Sequence, residues 1–253
     1  MRIAIVTGAS SGIGKEFVKQ IAATEQVDEI WSIARRLDRL EQLKKNVSSK
    51  IRVLRLDLLQ QESIRTLKEL LEKEKPKIAL LVNASGFGKY GSYLDLTDYE
   101  IDSMIDLNCK ALIHITYACL PYMNAGSRIL MMGSASAYQP LPYFNMYAAT
   151  KVFVVHFSRA LNVEIKERGI TVTSVCPGYV RTEFFKVAKD TKNPDACNNF
   201  KPMYDPDEVV KKALFDSRKG KDMSVFGIQI KLMRLISKLL PHRLVMEVWL
   251  KIK

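Results

Sequence analysis

Tyr147-Ala148-Ala149-Thr150-Lys151 sets a phenol and an ammonium one helical turn apart on a single face. A cation beside a phenolate stabilises it. The spacing therefore predicts a tyrosine whose pKa falls below its ordinary value of about 10, so that it can trade a proton with an alcohol or a ketone. Both residue types also populate exposed helix faces, so the pair decides nothing alone. A second group of residues, Thr7-Gly8-Ala9-Ser10-Ser11-Gly12-Ile13-Gly14, follows a short apolar run and opens an amphipathic stretch. Glycines there let the backbone turn sharply and approach a pyrophosphate held at the amide-rich start of a helix. Gly8-Ala9-Ser10-Ser11-Gly12 also matches the G-x-S-x-G elbow of serine hydrolases. That rival is disfavoured, because an elbow sits on a sheet already several strands deep, and neither His156 nor His242 lies in a supporting motif. Where a dinucleotide fold would place a carboxylate for the ribose 2′-hydroxyl, about 20 residues past the glycines, this chain reads Ile33-Ala34-Arg35-Arg36. Two guanidiniums suit a 2′-phosphate, so NADP(H) is preferred over NAD(H). A solvated surface pair is the plainer alternative for Arg35 and Arg36.

Taken jointly, these residues resemble the short-chain dehydrogenase/reductase family in its single-domain form, over about residues 1 to 220. The motifs are Gly8, Gly12 and Gly14; Asp57-Leu58; Asn83-Ala84-Ser85-Gly86; Asn108; Ser134, thirteen residues before Tyr147; Lys151; and Pro177-Gly178 with Val180 and Thr182. The resemblance implies that Tyr147 gives the proton and Ser134 hydrogen-bonds the substrate oxygen. Lys151 would tune Tyr147 and hold the nicotinamide ribose, and Asn108 would anchor a water in the proton relay. It further implies cofactor contacts from Ser10, Ser11, Ile13, Leu58, Ala84, Ser85 and Pro177, with Asp57 on the adenine amino group and Val180 and Thr182 on the carboxamide. Asp57 as a turn residue is the competing reading. Ser136 shares a strand face with Ser134, and the spacing to Tyr147 selects Ser134. The ordinary N-N-A-G of the family stands here as Asn83-Ala84-Ser85-Gly86, which keeps its outer residues. An aromatic rim of Phe87, Tyr90, Tyr93, Tyr138, Tyr143 and Phe144, with Leu141 and Pro142, favours a lipophilic carbonyl compound or alcohol. Residues 183–204 read as a lid.

Apolar runs at 3–7, 30–34, 51–56, 78–83, 128–133, 171–176 and 223–226 alternate with helical patterns at 15–23, 37–47, 63–75, 101–123, 147–168 and 206–217. The runs are rich in Ile, Val and Leu without clean alternation, as strands covered on both faces should be. This predicts α/β architecture, a doubly wound parallel sheet (Rossmann fold) in a single domain. Residues 1–222 would form the NADP-binding and catalytic part, and 223–253 the last strand and an amphipathic extension packed on it. In the extension, Leu232, Leu235, Ile236 and Leu239 line one helical face, and Leu244, Val245, Val248 and Ile252 line another after Pro241. Packing over the substrate site or against a subunit neighbour is the expected fate of both. Lying on an anionic membrane is the minority alternative, and charges recur too often for a span.

The 253 residues are 47% hydrophobic and 26% charged, which excludes disorder and fibrous repeats. Lysines and arginines number 39 against 27 acids, a net charge of +12 that attracts phosphates, acidic lipid or nucleic acid. No nucleic-acid reading module is evident. Cys109, Cys119, Cys176 and Cys197 have no C-x-x-C spacing, and His114, His156 and His242 lie far apart, so neither zinc nor a disulfide framework is favoured. The stretch before Gly8 is too short for a signal-peptide core, so a cytoplasmic setting is expected. A homodimer or homotetramer through helices 101–123 and 147–168 follows by analogy with the family. The competing function is an NADP(H)-binding scaffold or redox sensor with little turnover, which would have no need of Ser134 and Tyr147 together.

Overall fold

Successive residues of a strand point to opposite faces of its sheet, and the first strand, β1 (Arg2–Thr7), buries both sets. Ile3 and Ile5 enter one apolar layer, while Ala4 and Val6 enter the other. A strand so covered belongs inside a sheet with helices on both sides. The computed structural model, which describes residues 1–252, has that form. Its further strands are β2 (Glu29–Ala34), β3 (Ile51–Arg55), β4 (Lys77–Asn83), β5 (Arg128–Met132), β6 (Thr171–Val175), β7 (Tyr179–Val180), β8 (Met203–Tyr204) and β9 (Met223–Ser224). The main sheet runs β3-β2-β1-β4-β5-β6-β9 with every pairing parallel, and β7 and β8 form a small parallel pair apart from it.

The helices are α1 (Gly12–Thr24), α2 (Leu37–Val47), α3 (Gln61–Glu74), α4 (Asp98–Ile105), α5 (Leu112–Cys119), α6 (Asn145–Glu164), α7 (Phe184–Lys189), α8 (Pro206–Arg218), α9 (Ile228–Leu239) and α10 (His242–Ile252). Apolar residues of α1, α2 and α8 join the Ala4 layer, and those of α3, α5 and α6 join the Ile3 layer. This is the doubly wound α/β fold that the strand rhythm predicts. Each expected strand of the main sheet is present, with its ends moved by one or two residues. The chain winds outward from β1 to β3, then returns to place β4 on the other side of β1. That reversal opens a crevice at the carboxyl ends of β1 and β4, where ligands of such sheets bind.

Two features matter for function. The helix expected over 101–123 is interrupted between α4 and α5, where Asp106–Ala111 widen into a π-helical turn carrying Asn108. The extension also sets only part of its apolar surface against this chain. Ile230 of α9 rests on Gly178, and Trp249 of α10 donates its indole N–H to the Pro142 carbonyl at 2.9 Å. The row Leu232, Leu235, Ile236 and Leu239 instead faces outward, at 42 to 73% exposure, and of the second row only Val245 is buried. Helical spacing gives the width of an apolar stripe but not what it faces. Among the described residues no helix is long and apolar enough to cross a membrane.

Candidate active site

The first site element is the turn between β1 and α1. Gly8 has a positive φ of 68°, and a Cβ there would stand 2.8 Å from the Ala84 carbonyl oxygen. Only glycine lets the loops after β1 and β4 approach this closely. Thr7 ties them together, its Oγ1 accepting from the amides of Ala84 and Ser85 at 3.0 Å each. Ser11 makes no side-chain cap bond to α1, and the first turn of α1 holds no acid. The N-terminal amides are thus left free of any protein carboxylate, an arrangement that receives an anion. Arg36 reaches over the turn, donating to Ser10 Oγ at 3.2 Å and to Ser11 Oγ at 2.7 Å, while Arg35 is exposed at the cleft edge. Ser10 is therefore engaged by a guanidinium, whereas His156 and His242 are exposed on α6 and α10. The hydrolase reading has no base to support it.

A cleft of about 650 Å³ joins this turn to the second site element. Its wall includes every residue expected to bind cofactor except Asn83, and every expected catalytic residue except Asn108. Asn83 is buried and donates to Thr116 Oγ1 at 3.0 Å. Asn108 uses its amide elsewhere: Oδ1 accepts from the Phe87 amide at 3.1 Å, and Nδ2 donates to the Phe87 carbonyl at 2.8 Å and to Thr150 Oγ1 at 3.0 Å. Its side chain clamps the loop after β4 to α6. Asp57 serves as the turn residue of the plainer reading, with Oδ1 accepting from the Leu59 amide at 3.2 Å, and it also borders the cleft. Thr182 packs its side chain toward Gly12 and accepts from the Phe184 amide at 3.3 Å.

Tyr147 and Lys151 both lie buried on the first half of α6, at 7% and 5% exposure. The Lys151 ammonium is 5.5 Å from the Tyr147 ring centre and donates to the Met132 carbonyl, at the end of β5, at 2.7 Å. Burial raises the Tyr147 phenol above its ordinary range, against the opposing hydrogen bond with Ser134. This corrects the expectation of a lowered phenol. Removing a phenolate from water is the largest effect, and Lys151 lies beside the ring with its hydrogen bond spent on a carbonyl. Burial also lowers Lys151, to about 8. Ser134 caps a short 3₁₀ turn, its Oγ accepting from the Ser136 amide at 3.1 Å, so the two serines do not share a strand face. Contact with the phenol singles out Ser134.

Gly88 lies against the face of Tyr147, since a Cβ there would stand 2.6 Å from the ring. Aromatic rings continue outward, with Phe144 stacked on Tyr147 at 4.4 Å and on Tyr90 at 4.0 Å, and Phe184 of α7 closing over Tyr147 at 5.3 Å. Of the expected rim, Phe87, Tyr90, Leu141 and Phe144 line the cleft. Tyr93 is 82% exposed, Tyr138 packs on Met223, and Pro142 and Tyr143 stand outside the lining. Thr7, Gly88, Thr150, Met132 and Trp249 are site residues that motif spacing missed. Gly88, two residues past the Asn83-Gly86 motif, carried a signal in its type, whereas the others act through backbone or distant contacts that spacing does not encode.

Fold and site together define the class as a doubly wound α/β protein with a dinucleotide-type crevice at the switch point of its sheet. Residues 2–193 match the family model described as short chain dehydrogenase, and the chain belongs to that family. It is 32% identical over 193 residues to sulfoacetaldehyde reductase 2 of Chromohalobacter salexigens, covering 72% of this chain and 74% of that one. It is 35% identical over 196 residues to the very-long-chain 3-oxoacyl-CoA reductase of Anas platyrhynchos, covering 74% of this chain and 62% of that longer protein. Among solved structures, the short-chain dehydrogenase from Sphingobium yanoikuyae in complex with NADPH superposes with a TM-score of 0.78 at 25% identity, over 94% of each chain.

Proposed function

We propose that this protein is an NADP(H)-dependent oxidoreductase that moves a hydride between the nicotinamide and the carbonyl or alcohol carbon of a lipophilic small molecule. One observation carries the reading: Ser134, Tyr147 and Lys151 border the same cleft as a glycine turn overlaid by Arg36. The cradle fits a dinucleotide, because the close approach at Gly8 and the acid-free start of α1 leave room and amides for a pyrophosphate. Arg35 and Arg36, with no carboxylate at the end of β2, favour a 2′-phosphate. When bound, the cofactor supplies or accepts the hydride.

The protein's part is geometry and the proton. As a carbonyl carbon gains hydride, its oxygen gains negative charge, and the hydroxyls of Ser134 and Tyr147 are already fixed to receive it. Burial keeps the Tyr147 phenol protonated at neutral pH, so it stands ready as the donor to that oxygen. Lys151 holds positive charge beside the donor and is tied to Met132, while Asn108 acts as a positioning residue through Phe87 and Thr150. The aromatic lining of Phe87, Tyr90 and Phe144 supports a lipophilic substrate. So does the likeness to an enzyme named for very-long-chain 3-oxoacyl substrates. Residues 183–204 act as the lid. We further assign residues 1–252 to one structural unit in a cytoplasmic protein that assembles as a dimer or tetramer. A panel of carbonyl compounds with NADPH and NADH, followed by nicotinamide absorbance, tests the function. Tyr147→Phe should lower kcat/KM by about 10²- to 10⁴-fold, the range of a general acid, with NADPH binding retained. Undiminished turnover would remove the proposed acid, and stronger binding of NADH than of NADPH would overturn the 2′-phosphate assignment.

A further inference from the structure

The amphipathic rows of the extension are not spent on the core. Ten of the 21 large apolar side chains exposed among the described residues fall within residues 228–252. Scattered single exposures need no explanation, but a concentration on two consecutive helices does. On α9 the inward face is Ile230, Met233 and Ser237, and the outward face is the regular row Leu232, Leu235, Ile236 and Leu239. Lys231 and Lys238 flank that row on one side. Residues 227–253 contain six lysines and arginines against one acid, Glu247.

We propose that α9 and α10 dock this protein on the surface of an anionic membrane. Apolar side chains would enter the boundary between headgroups and acyl chains, with the flanking lysines against acidic headgroups. A second copy of the chain is the poorer occupant, because two such surfaces would bring like charges together with a single acid on each to answer them. A spanning role is excluded for the described residues by helix length and polarity. Geometry adds a purpose. Gln229, Ile230 and Met233 of α9 and Trp249 and Ile252 of α10 wall the same cleft that holds Tyr147. Docking these helices puts the cleft beside the lipid phase, so a lipophilic carbonyl compound dissolved there reaches the site without crossing water. This purpose rests on the reading of the cleft as an oxidoreductase site, whereas the docking itself does not.

The test is co-sedimentation of the full chain with vesicles of pure phosphatidylcholine and with an equal mixture of phosphatidylcholine and phosphatidylglycerol. The wild type should sediment with the mixed vesicles and stay in solution with the neutral ones. The triple variant Leu232→Glu, Leu235→Glu, Leu239→Glu, whose positions lie outside the cleft lining, should lose binding while reducing a water-soluble carbonyl compound at the wild-type rate. Lys231→Gln and Lys238→Gln should each weaken binding by roughly fivefold. A wild type that ignores anionic vesicles, or a triple variant that binds as well as wild type, overturns the proposal. So does a wild type that stays off vesicles yet sediments as a dimer that the triple variant splits, which assigns the surface to a second copy. Vesicle binding with no reduction of any carbonyl compound upholds docking and overturns the oxidoreductase reading instead.

Discussion

At the residue scale, the chemistry depends on how burial acts on two groups of opposite charge type. Desolvation raises Tyr147 and lowers Lys151, so the pair at neutral pH is a protonated phenol beside an ammonium close to titration. Lys151 falls from 10.5 to about 8 in the folded protein. Between those values the unfolded chain keeps a proton that the folded chain has lost, so this group adds stability as pH rises through the window. Activity should move the other way. For carbonyl reduction, kcat/KM is expected to fall above about pH 8 as the ammonium is lost, and Lys151→Arg, always charged, should shift that limb upward despite a lower plateau. An unchanged limb in the arginine variant would show that another group titrates there. Tyr147 and Lys151 stood out in the sequence by residue type and helical spacing, and Ser134 by the resemblance to the family. The direction of the phenol shift did not, because i and i+4 spacing carries no information on solvent. Glu183 was also hidden. It bridges Arg36 at 2.9 Å and Arg39 at 2.6 Å, and those partners, Arg39 first, hold its carboxyl below the usual range. A carboxylate on Arg36 competes with a 2′-phosphate for the same guanidinium. Glu183→Gln should therefore tighten NADPH binding about threefold, the modest size expected of half-exposed ion pairs, and leave NADH binding unaltered in a fluorescence titration. An equal gain for both cofactors would refute the competition.

At the element scale, the sheet was readable because each strand covered on both faces writes a run of Ile, Val and Leu. The pair β7 and β8 was not, since two residues per strand carry no periodicity. The π-turn at Asn108 was equally silent, because one extra residue in a turn barely disturbs a helical pattern over 101–123. The last strand shows why a weak signal still folds. β9 has only two paired residues, but Asp216 of α8, 1% exposed, accepts from Lys212 and Lys221 at 2.7 and 2.8 Å and from Ser224 Oγ of β9 at 2.8 Å. Burial opposes the charge on Asp216, but these three donors together hold its carboxyl below the ordinary value. Its contribution to stability is present at neutral pH and is lost as pH falls through that depressed value. Asp216→Asn keeps the volume and removes the charge. Because both lysines can return to water, we expect a loss of about 2 kcal/mol, below the range for fully buried pairs. Urea unfolding at pH 7 measures it, and the difference from wild type should shrink in acid. A constant difference from pH 7 to pH 3 would show that the charge is not responsible.

At the scale of the whole molecule, a net charge of +12 resists non-specific association, so any assembly has to form where apolar surface outweighs repulsion. Among the described residues, two candidate surfaces lie on separate elements. The α9 and α10 surface is fringed by basic residues, while the surface on α5 and α6 is aromatic. Tyr117 of α5 is 53% exposed, Phe153 and Val163 of α6 are 39% and 72% exposed, and Phe157 carries both Tyr117, edge-on at 5.9 Å, and Phe153, stacked at 6.1 Å. Rings already ordered against one another lose little side-chain freedom when a partner covers them. The face is also built on α6, whose inner side carries Tyr147 and Lys151, so a copy seated there would stiffen the helix that holds the proposed proton donor. The expected outcome is a dimer of wild-type protein in sedimentation equilibrium that Tyr117→Asp with Phe153→Asp converts to monomer. The thermal midpoint at low protein concentration should barely change, because these rings lie outside the core. The monomer should bind NADPH as before and turn over carbonyl substrate more slowly through kcat. The triple glutamate variant of α9 should remain a dimer. If it too becomes monomeric, the two surfaces are not independent and the α5–α6 face is not the assembly site.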